Sequence, residues 1–493
     1  MASYLFYAVG ILSLWTAATQ YSWQRPHTTC QQLSILLKGK VFTPETSSYQ
    51  ESLSSYFSLQ EQSLKPACIV RPTCPQDVST IITTMATAHR ESAERFAVRS
   101  NGQAIYAGAA NIDAGVTIDL RAMHDVRIAN DRSTIEIESG AAWRQVFTEL
   151  DPQNPTVAGG RSGKIGTGGF LFGGGSSLLG PAVGWACDTV LAYEVVLASG
   201  EIVTATKDMH SDLFLALKGG SNNFGVVTKF IMKAYPFQGL WGGLLVYAGE
   251  QIPQQLRAFS DFMKPGSLDV HANPIISVSW TSEYGVLMGT NVLLYAKPEA
   301  RPESLKPFAD DVPALFSTLR TMTMVEFNDE EDGNQIPGYN TLYYTTTFAH
   351  SPAVYTPIIS AFTDSIPLVS SVPNMHWHIT MQSTPALTGS NSLGLDPKDG
   401  RLVVFMLIAY FPDQQYRDHV RKAAAQVLDS IELITKAAGV YRPFKYMGYA
   451  DDTRDVIGGY GKNSVQRLQA ASKRYDPDGL FQRVVPGGFK VFQ

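Results

Sequence analysis

Apolar positions recur along this chain with two periods, and the construction changes where the period changes. Within residues 66–235 short apolar runs alternate in kind. Ala67-Cys68-Ile69-Val70 reads as a strand, and 72–89 places Val78, Ile82, Met85 and Ala88 on one face behind Pro75, which predicts a helix. Phe96-Ala97-Val98 closes a β-α-β unit, and 116–120 and 133–137 add strands. Residues 191–198 and 202–205 flank Ser199-Gly200 as a hairpin, 211–217 is a short helix stopped at Gly219-Gly220, and 221–227 turns into another strand. From 236 to 439 the period is two over longer segments, at 275–280, 286–295, 342–348, 376–382 and 402–410. Two helices stand out there, 252–264 and 413–438, the second carrying Val420, Ala424, Val427, Ile431 and Ile434 on one face and ending at Gly439. The fold class is therefore α+β, a mixed first part followed by a large antiparallel sheet backed by helices. Residues 31–65 read as a short helix and polar connections without nameable chemistry.

One stretch fits neither period. In 156–175, TVAGGRSGKIGTGGFLFGGG, nine of twenty residues are glycine. Such density removes Cβ atoms where backbone presses against something flat or charged. Val157, Ile165, Phe170, Leu171 and Phe172 are interleaved with the glycines, which a solvated linker would not need, so a packed, ligand-contacting loop is expected. Upstream, the 96–98 strand opens into Arg99-Ser100-Asn101-Gly102-Gln103, a place where backbone amides meet phosphate. No G-x-G-x-x-G sits between a strand and a long helix, so a dinucleotide would not be held in the Rossmann manner.

Composition narrows the partners. The chain has 493 residues, 44% hydrophobic and 17% charged, with a net charge of −5, and no basic block interleaved with aromatics, which argues against nucleic acid. Residues 4–18 are apolar and uncharged, too short for a stable membrane span and suited to the core of a secretory signal over 1–20. The missing positive flank leaves an uncleaved anchoring segment open, and the one Asn-x-Thr triplet, Asn154-Pro155-Thr156, is disabled by its proline. The expected route is the secretory pathway, to the exterior or to an organelle. Four cysteines fit no zinc spacing, and no metal site is expected. Cys30 with Cys68 is the pair expected to close, while Cys74 and Cys187 are expected to be free and buried.

The order of motifs resembles the flavin-linked oxidoreductases of the vanillyl-alcohol-oxidase or PCMH type, in the berberine-bridge-enzyme-like branch with its fungal members. Seven segments in order carry the resemblance: RPTCPQDVSTII, FAVRSNGQAIYAGAANID, GGRSGKIGTGGFLFGGGSS, CDTVLAYEVVLASGEIV, DLFLALKGGSNNFGVVT, GSNSLGLDPKDGRLVV and YGKNSVQRLQAASKRYDPDGLFQ. It implies a two-subdomain FAD-binding domain over 66–235 behind an N-terminal segment 21–65, a substrate domain over 236–439, and a C-terminal segment 440–493 that returns to the FAD domain. It also implies cofactor contacts at Arg99, Ser100, Asn101, Gly102 and Gln103, at Ser162, Gly166, Thr167, Gly168 and Gly169, at Val227 through its backbone, and at Asn463.

Departures from the family pattern matter as much. Where members carry RSGGH, with a histidine bonded to the flavin, this chain has Gln103, and where bicovalent members carry a cysteine it has Ser162. FAD held without a covalent bond is the expectation. The family's Tyr-x-Asn-Tyr reads Tyr446-Met447-Gly448-Tyr449 here, making Tyr449 the first acid/base candidate and Tyr446 the second, unless both are packed aromatics. His376 and His378 share one strand face with Gln382 and are candidates to steer or protonate a substrate, or are satisfied structural residues. Tyr343 and Tyr344 take opposite faces, and Glu326 with 329–332 reads as a solvated acidic turn. Three functions follow: an FAD-dependent oxidase or dehydrogenase of a small hydrophobic natural product with dioxygen as acceptor, a redox-neutral isomerase or cyclase with FAD as a structural or electrostatic element, and a silent binding protein.

Overall fold

The computed structural model describes residues 26–492, and among these three large sheets and a two-stranded one, Pro155–Thr156 with Tyr235–Pro236, carry the chain; the secretion signal expected over 1–20 lies outside the described residues. The first sheet runs Val41–Phe42, Cys68–Val70, Val116–Asp119, Phe96–Arg99, with its last three strands parallel. The Pro75–Ser92 helix crosses over it, started by proline in its first turn and ended by Ala93 in a left-handed conformation. Val78, Ile81, Ile82 and Met85 are fully buried beneath it, which supplies the hydrophobic contribution that fixes the crossover. Cys30 and Cys68 form a disulfide that ties the Pro26–Leu36 helix to this sheet. Cys187 is buried, but Cys74 is only half-buried at the N-cap of the crossover helix.

The second sheet is antiparallel, in the order Val126–Ile128, Thr134–Glu138, Val226–Lys233, Val190–Val196, Ile202–Thr206. Its central Val226–Lys233 strand carries a register shift between Val227 and Lys229, which bends the strand where the cavity described below begins.

The third sheet has nine strands and two unlike faces. Along His376–Ser383, Trp377, Ile379 and Met381 are buried among the backing helices, while His378, Thr380 and Gln382 point the other way. The helices Ile252–Phe262, Pro352–Val369 and Arg417–Ala437 supply the apolar cover. The Pro352–Val369 helix escapes sequence reading because it contains Pro357 and Pro367, each of which removes a backbone donor. Burial of Val354, Tyr355, Ile358, Phe362 and Val369 at helical spacing overrides that cost.

The expectation for the acidic stretch is corrected. The acidic stretch near 326–332 is not a solvated turn but the Met324–Gly333 helix, opened by a capping box in which Thr323 N donates to Glu326 Oε2 at 2.7 Å and Glu326 N to Thr323 Oγ1 at 3.2 Å. The returning tail first pairs Tyr441–Arg442 with the large sheet and only then buries Phe444 and Tyr446 against Trp185 of the FAD-binding part. Phe481 meets Phe96 at 6.3 Å, and Tyr475 donates to Asp212 at 2.7 Å, so the tail packs on the FAD-binding part.

The disulfide closes a loop with a sequence separation of 38. Replacing Cys30 and Cys68 together by serine is expected to lower unfolding stability by about 4 kcal/mol from loop entropy, less in a compact unfolded chain, read as a lowered denaturant midpoint.

Candidate active site between the glycine loops and the large sheet

The Ser100–Gln103 loop and the Gly166–Gly169 loop lie against each other. Ser100 Oγ donates to Ser139 O at 2.5 Å and accepts from Gly168 N at 3.3 Å, and Asn101 Nδ2 donates to Lys164 O at 2.6 Å. A Cβ on Gly166 would sit 2.7 Å from Asn101 N and nearer still to Ser100 Oγ, so only glycine permits this approach. A Cβ on Gly169 would meet nothing within 4 Å, and the backbone there is bare toward the cavity.

That cavity, about 560 Å³, runs from the paired loops to the polar face of the large sheet. Its far wall is built by Ile275, Val292, Tyr343, Thr380, Gln382 and Met406 from five strands. Tyr343 and Tyr410 share a hydrogen bond of 2.7 Å between their hydroxyls, and burial pushes Tyr343 well above its ordinary pKa. Tyr344, on the opposite face, packs in the helix-backed core.

Where the returning tail meets the sheet, three side chains form a closed network. Arg161 Nη1 donates to Gln382 Oε1 at 2.9 Å, which fixes the amide so that Gln382 Nε2 donates to Tyr449 Oη at 3.0 Å. Arg161 Nη2 donates to the same Tyr449 oxygen at 2.6 Å. Tyr449 thus accepts two hydrogen bonds, and its own proton is left for a partner in the cavity. Tyr446 also lines the cavity, but it is buried, packed on Trp185 and Tyr449, and its oxygen accepts from Ser176 N at 3.1 Å. Burial raises its pKa, which suits a packed aromatic.

The Met324–Gly333 helix brings in side chains that sequence reading missed. Arg144 and Asp329 form an ion pair at 2.5 Å, Asn328 Nδ2 donates to Arg161 O at 2.6 Å, and Ser162 Oγ donates to Asp332 Oδ1 at 2.7 Å. So clamped, the helix presents Glu331 on the cavity wall. Burial lifts its carboxyl to about 7, Arg161 opposing and Glu330 and Asp332 adding to the rise. The Thr323-x-x-Glu326 capping signature was the available signal for this helix.

Several expected contacts fall elsewhere. Arg99 is fully buried behind its loop, donating to Ser52 O at 2.6 Å and Ser55 Oγ at 2.8 Å with its guanidinium 3.8 Å over the Tyr56 ring. It holds the loop in place and does not line the cavity, because a guanidinium with protein partners on several sides has no donor turned to a ligand. Thr167 is likewise buried, its hydroxyl turned to Glu138 O and Ser139 O. Val227 lines the cavity, but its carbonyl is taken by Ser139 Oγ at 2.6 Å. Asn463 is exposed in the first turn of the Lys462–Tyr475 helix, away from the cavity wall. His376 and His378 stack on each other beyond Thr380 on the same strand face and do not reach the wall. Burial, aided by His376, holds His378 down to about 3, so it is neutral at neutral pH. Ser100, Asn101, Gly102, Gln103, Ser162, Gly166, Gly168 and Gly169 do line the cavity.

Buried Glu61 accepts from Gly108 N at 3.1 Å and Ala110 N at 2.7 Å, shaping the loop that follows Gln103.

A cavity whose lining runs from two glycine-permitted loops to the strands of the large sheet offers, at the loops, the close backbone approach that an FAD diphosphate needs. Residues 66–206 match the FAD binding domain family. The chain is 32% identical over 465 residues to the FAD-dependent monooxygenase drtC of Aspergillus calidoustus, covering 92% of this chain and 88% of that protein. It is 30% identical over 475 residues to the FAD-dependent monooxygenase sdcF of Emericella nidulans, covering 94% and 98%. Among solved structures, a chitooligosaccharide oxidase matches the fold with a TM-score of 0.72 at 20% identity, over 95% of this chain and 100% of that one. The chain is that of an FAD-linked oxidoreductase. Within that class the chain belongs to the family of the fungal FAD-dependent monooxygenases.

Gly166→Ala is expected to force the two loops apart by a few tenths of an ångström or more and to abolish FAD retention through gel filtration, read as the ratio of flavin to protein absorbance. Retention of FAD at the wild-type ratio would contradict the close-approach argument.

Proposed function

We propose that this enzyme oxidises a small, largely apolar natural product, holding FAD by contacts alone and using Tyr449 as the acid/base contact of the substrate's reacting oxygen. The observation that carries this is the Arg161–Gln382–Tyr449 network on the cavity wall. When bound, FAD supplies the two-electron acceptor. Charge that develops on the Tyr449 oxygen during proton exchange meets two donors already in place, so no reorganisation is needed. Apolar Ile275, Val292 and Met406 on the facing wall favour a hydrophobic substrate body and exclude water around the network.

Non-covalent binding is supported by the two anchor positions. Gln103 offers no nucleophilic ring nitrogen, and the Ser162 hydroxyl is engaged twice, donating to Asp332 Oδ1 and accepting from Gln335 Nε2, each at 2.7 Å. The redox-neutral alternative is not favoured by the two relatives named above, both FAD-dependent monooxygenases. Dioxygen as acceptor is part of the same proposal. The apolar leader at residues 4–18 supports a secretory route, in keeping with the Cys30–Cys68 disulfide.

Acid precipitation of the purified enzyme is expected to leave all flavin in the supernatant; a yellow pellet would overturn the contact-only reading. With a substrate found by anaerobic bleaching of the flavin, Tyr449→Phe is expected to slow bleaching by about 10²- to 10⁴-fold at unchanged FAD content. An unchanged rate would remove Tyr449 from the chemistry.

A further inference from the structure

One part of the cavity's boundary is fastened unlike the rest. After the Leu480–Arg483 helix the chain runs along the cavity as a strap, 485–492, set between two loops. Ala109 and Ala110 line the cavity on one side of it, Ser221 and Asn222 on the other, and Gly488 and Phe489 between them. The fit is close on both sides. A Cβ on Gly487 would sit 1.9 Å from Gly108 O, and one on Gly488, where φ is +80°, 2.2 Å from Asn222 Oδ1. Phe489 is buried, its ring edge-on to Tyr106 with centroids 6.0 Å apart. Yet among the described residues no backbone-to-backbone hydrogen bond reaches 485–492. The fasteners are side chains. Asn222 Nδ2 donates to Gly487 O at 3.1 Å, Asn223 Nδ2 to Phe489 O at 2.8 Å, and Gln469 Nε2 to Val491 O at 2.8 Å. Phe489 N donates to Ser221 Oγ at 3.3 Å, and Lys490 Nζ to Asn222 Oδ1 at 3.1 Å and to Phe481 O at 3.0 Å. A strained turn exerts this grip, since Ser221 holds a left-handed backbone at φ +61°. The neighbouring loops, by contrast, adjoin the strands Phe96–Arg99 and Val226–Lys233, each held in a sheet ladder.

We propose that the 485–492 strap is a gate for the cofactor: FAD enters and leaves as the strap lifts off the 221–223 turn, while the two glycine loops stay together. This rests on the reading of the cavity as an FAD site filled by contacts alone. A cofactor so held has to pass some boundary of the cavity, and the boundary that opens at least cost is one without ladder hydrogen bonds. Lifting the strap breaks isolated side-chain bonds and uncovers Phe489 and Val491. Parting the glycine loops would instead break the bonds of Ser100 to Ser139 and Gly168 and disturb the strand that Ser100 follows. The fasteners Asn223, Gln469 and Lys490 lie outside the cavity lining, so they close the strap on the empty and the filled cavity alike. The strap therefore sets how fast FAD exchanges and not how tightly it is held.

The test compares the wild-type enzyme with Gln469→Ala and Lys490→Met, which loosen the strap from outside the cavity. Release of FAD on dilution and its uptake by apoprotein are followed by flavin fluorescence anisotropy, and strap opening by deuterium exchange of 485–492. Each variant is expected to release and to take up FAD about fivefold faster, the effect of one lost hydrogen bond on the open population, at an unchanged Kd. Deuterium exchange is expected to rise in 485–492 and not in the glycine loops. Exchangeable flavin whose two rates do not move overturns the gate. Faster release alone, with Kd raised in proportion, also overturns it, since the strap is then a wall of the binding site. Faster deuterium exchange of the strap with flavin that stays in the acid-precipitated pellet overturns contact-only binding, and the gate with it.

Discussion

Everything in this molecule is arranged around a close backbone approach. The Ser100–Gln103 loop and the Gly166–Gly169 loop are separated by less than a methyl group can fill, and the contact is sealed by Ser100, which bonds to Ser139 on one side and to Gly168 on the other. Bringing two peptide segments that near leaves backbone on both sides of one channel, which is what a diphosphate requires and what side chains of ordinary size would prevent. The glycine density of residues 156–175 is the sequence record of that constraint.

Polar groups buried behind the loops hold them there. Arg99, Ser52, Ser55 and Tyr56 form one cluster beneath the first loop, and Asp119 joins it by accepting from Ser52 at 2.9 Å and from Arg121 at 2.8 Å. Buried charges of this kind are tolerable because each has partners, and they specify one loop conformation where an apolar cluster would permit several. The other half of the site is assembled from long range. Arg161 comes from the glycine stretch, Gln382 from the middle of the large sheet and Tyr449 from the tail that returns to the FAD-binding part. That three-way meeting requires both the discontinuous chain path and the two-faced sheet, whose helix side is apolar and whose other side carries Thr380 and Gln382.

Much of this was legible in the residues. Period-two segments such as 376–382 and 402–410 became strands His376–Ser383 and Leu402–Phe411, since alternation directly encodes a two-faced sheet. The cavity-lining loop residues were legible because glycine reports on backbone. Arg99 was not, because its sequence position beside a phosphate loop says nothing about which way a long side chain turns. Asn463 failed for a similar reason: the tail packs as expected, but its helix presents that residue to solvent. Glu331 was lost inside a run of acids, four of which follow Asn328 in order, and only the helix geometry separates the one facing the cavity from those that pair at the surface. His376 and His378 show the converse, since a shared strand face predicts alignment and not how far along the face the cavity extends.

The most direct measurement is a crystal structure of the enzyme purified with FAD. The account predicts the diphosphate between Ser100–Gln103 and Gly166–Gly169, the ring toward Tyr449, and no continuous density from the flavin to Gln103 or Ser162. A diphosphate bound away from these loops, or a bond from either side chain to the ring, would contradict it.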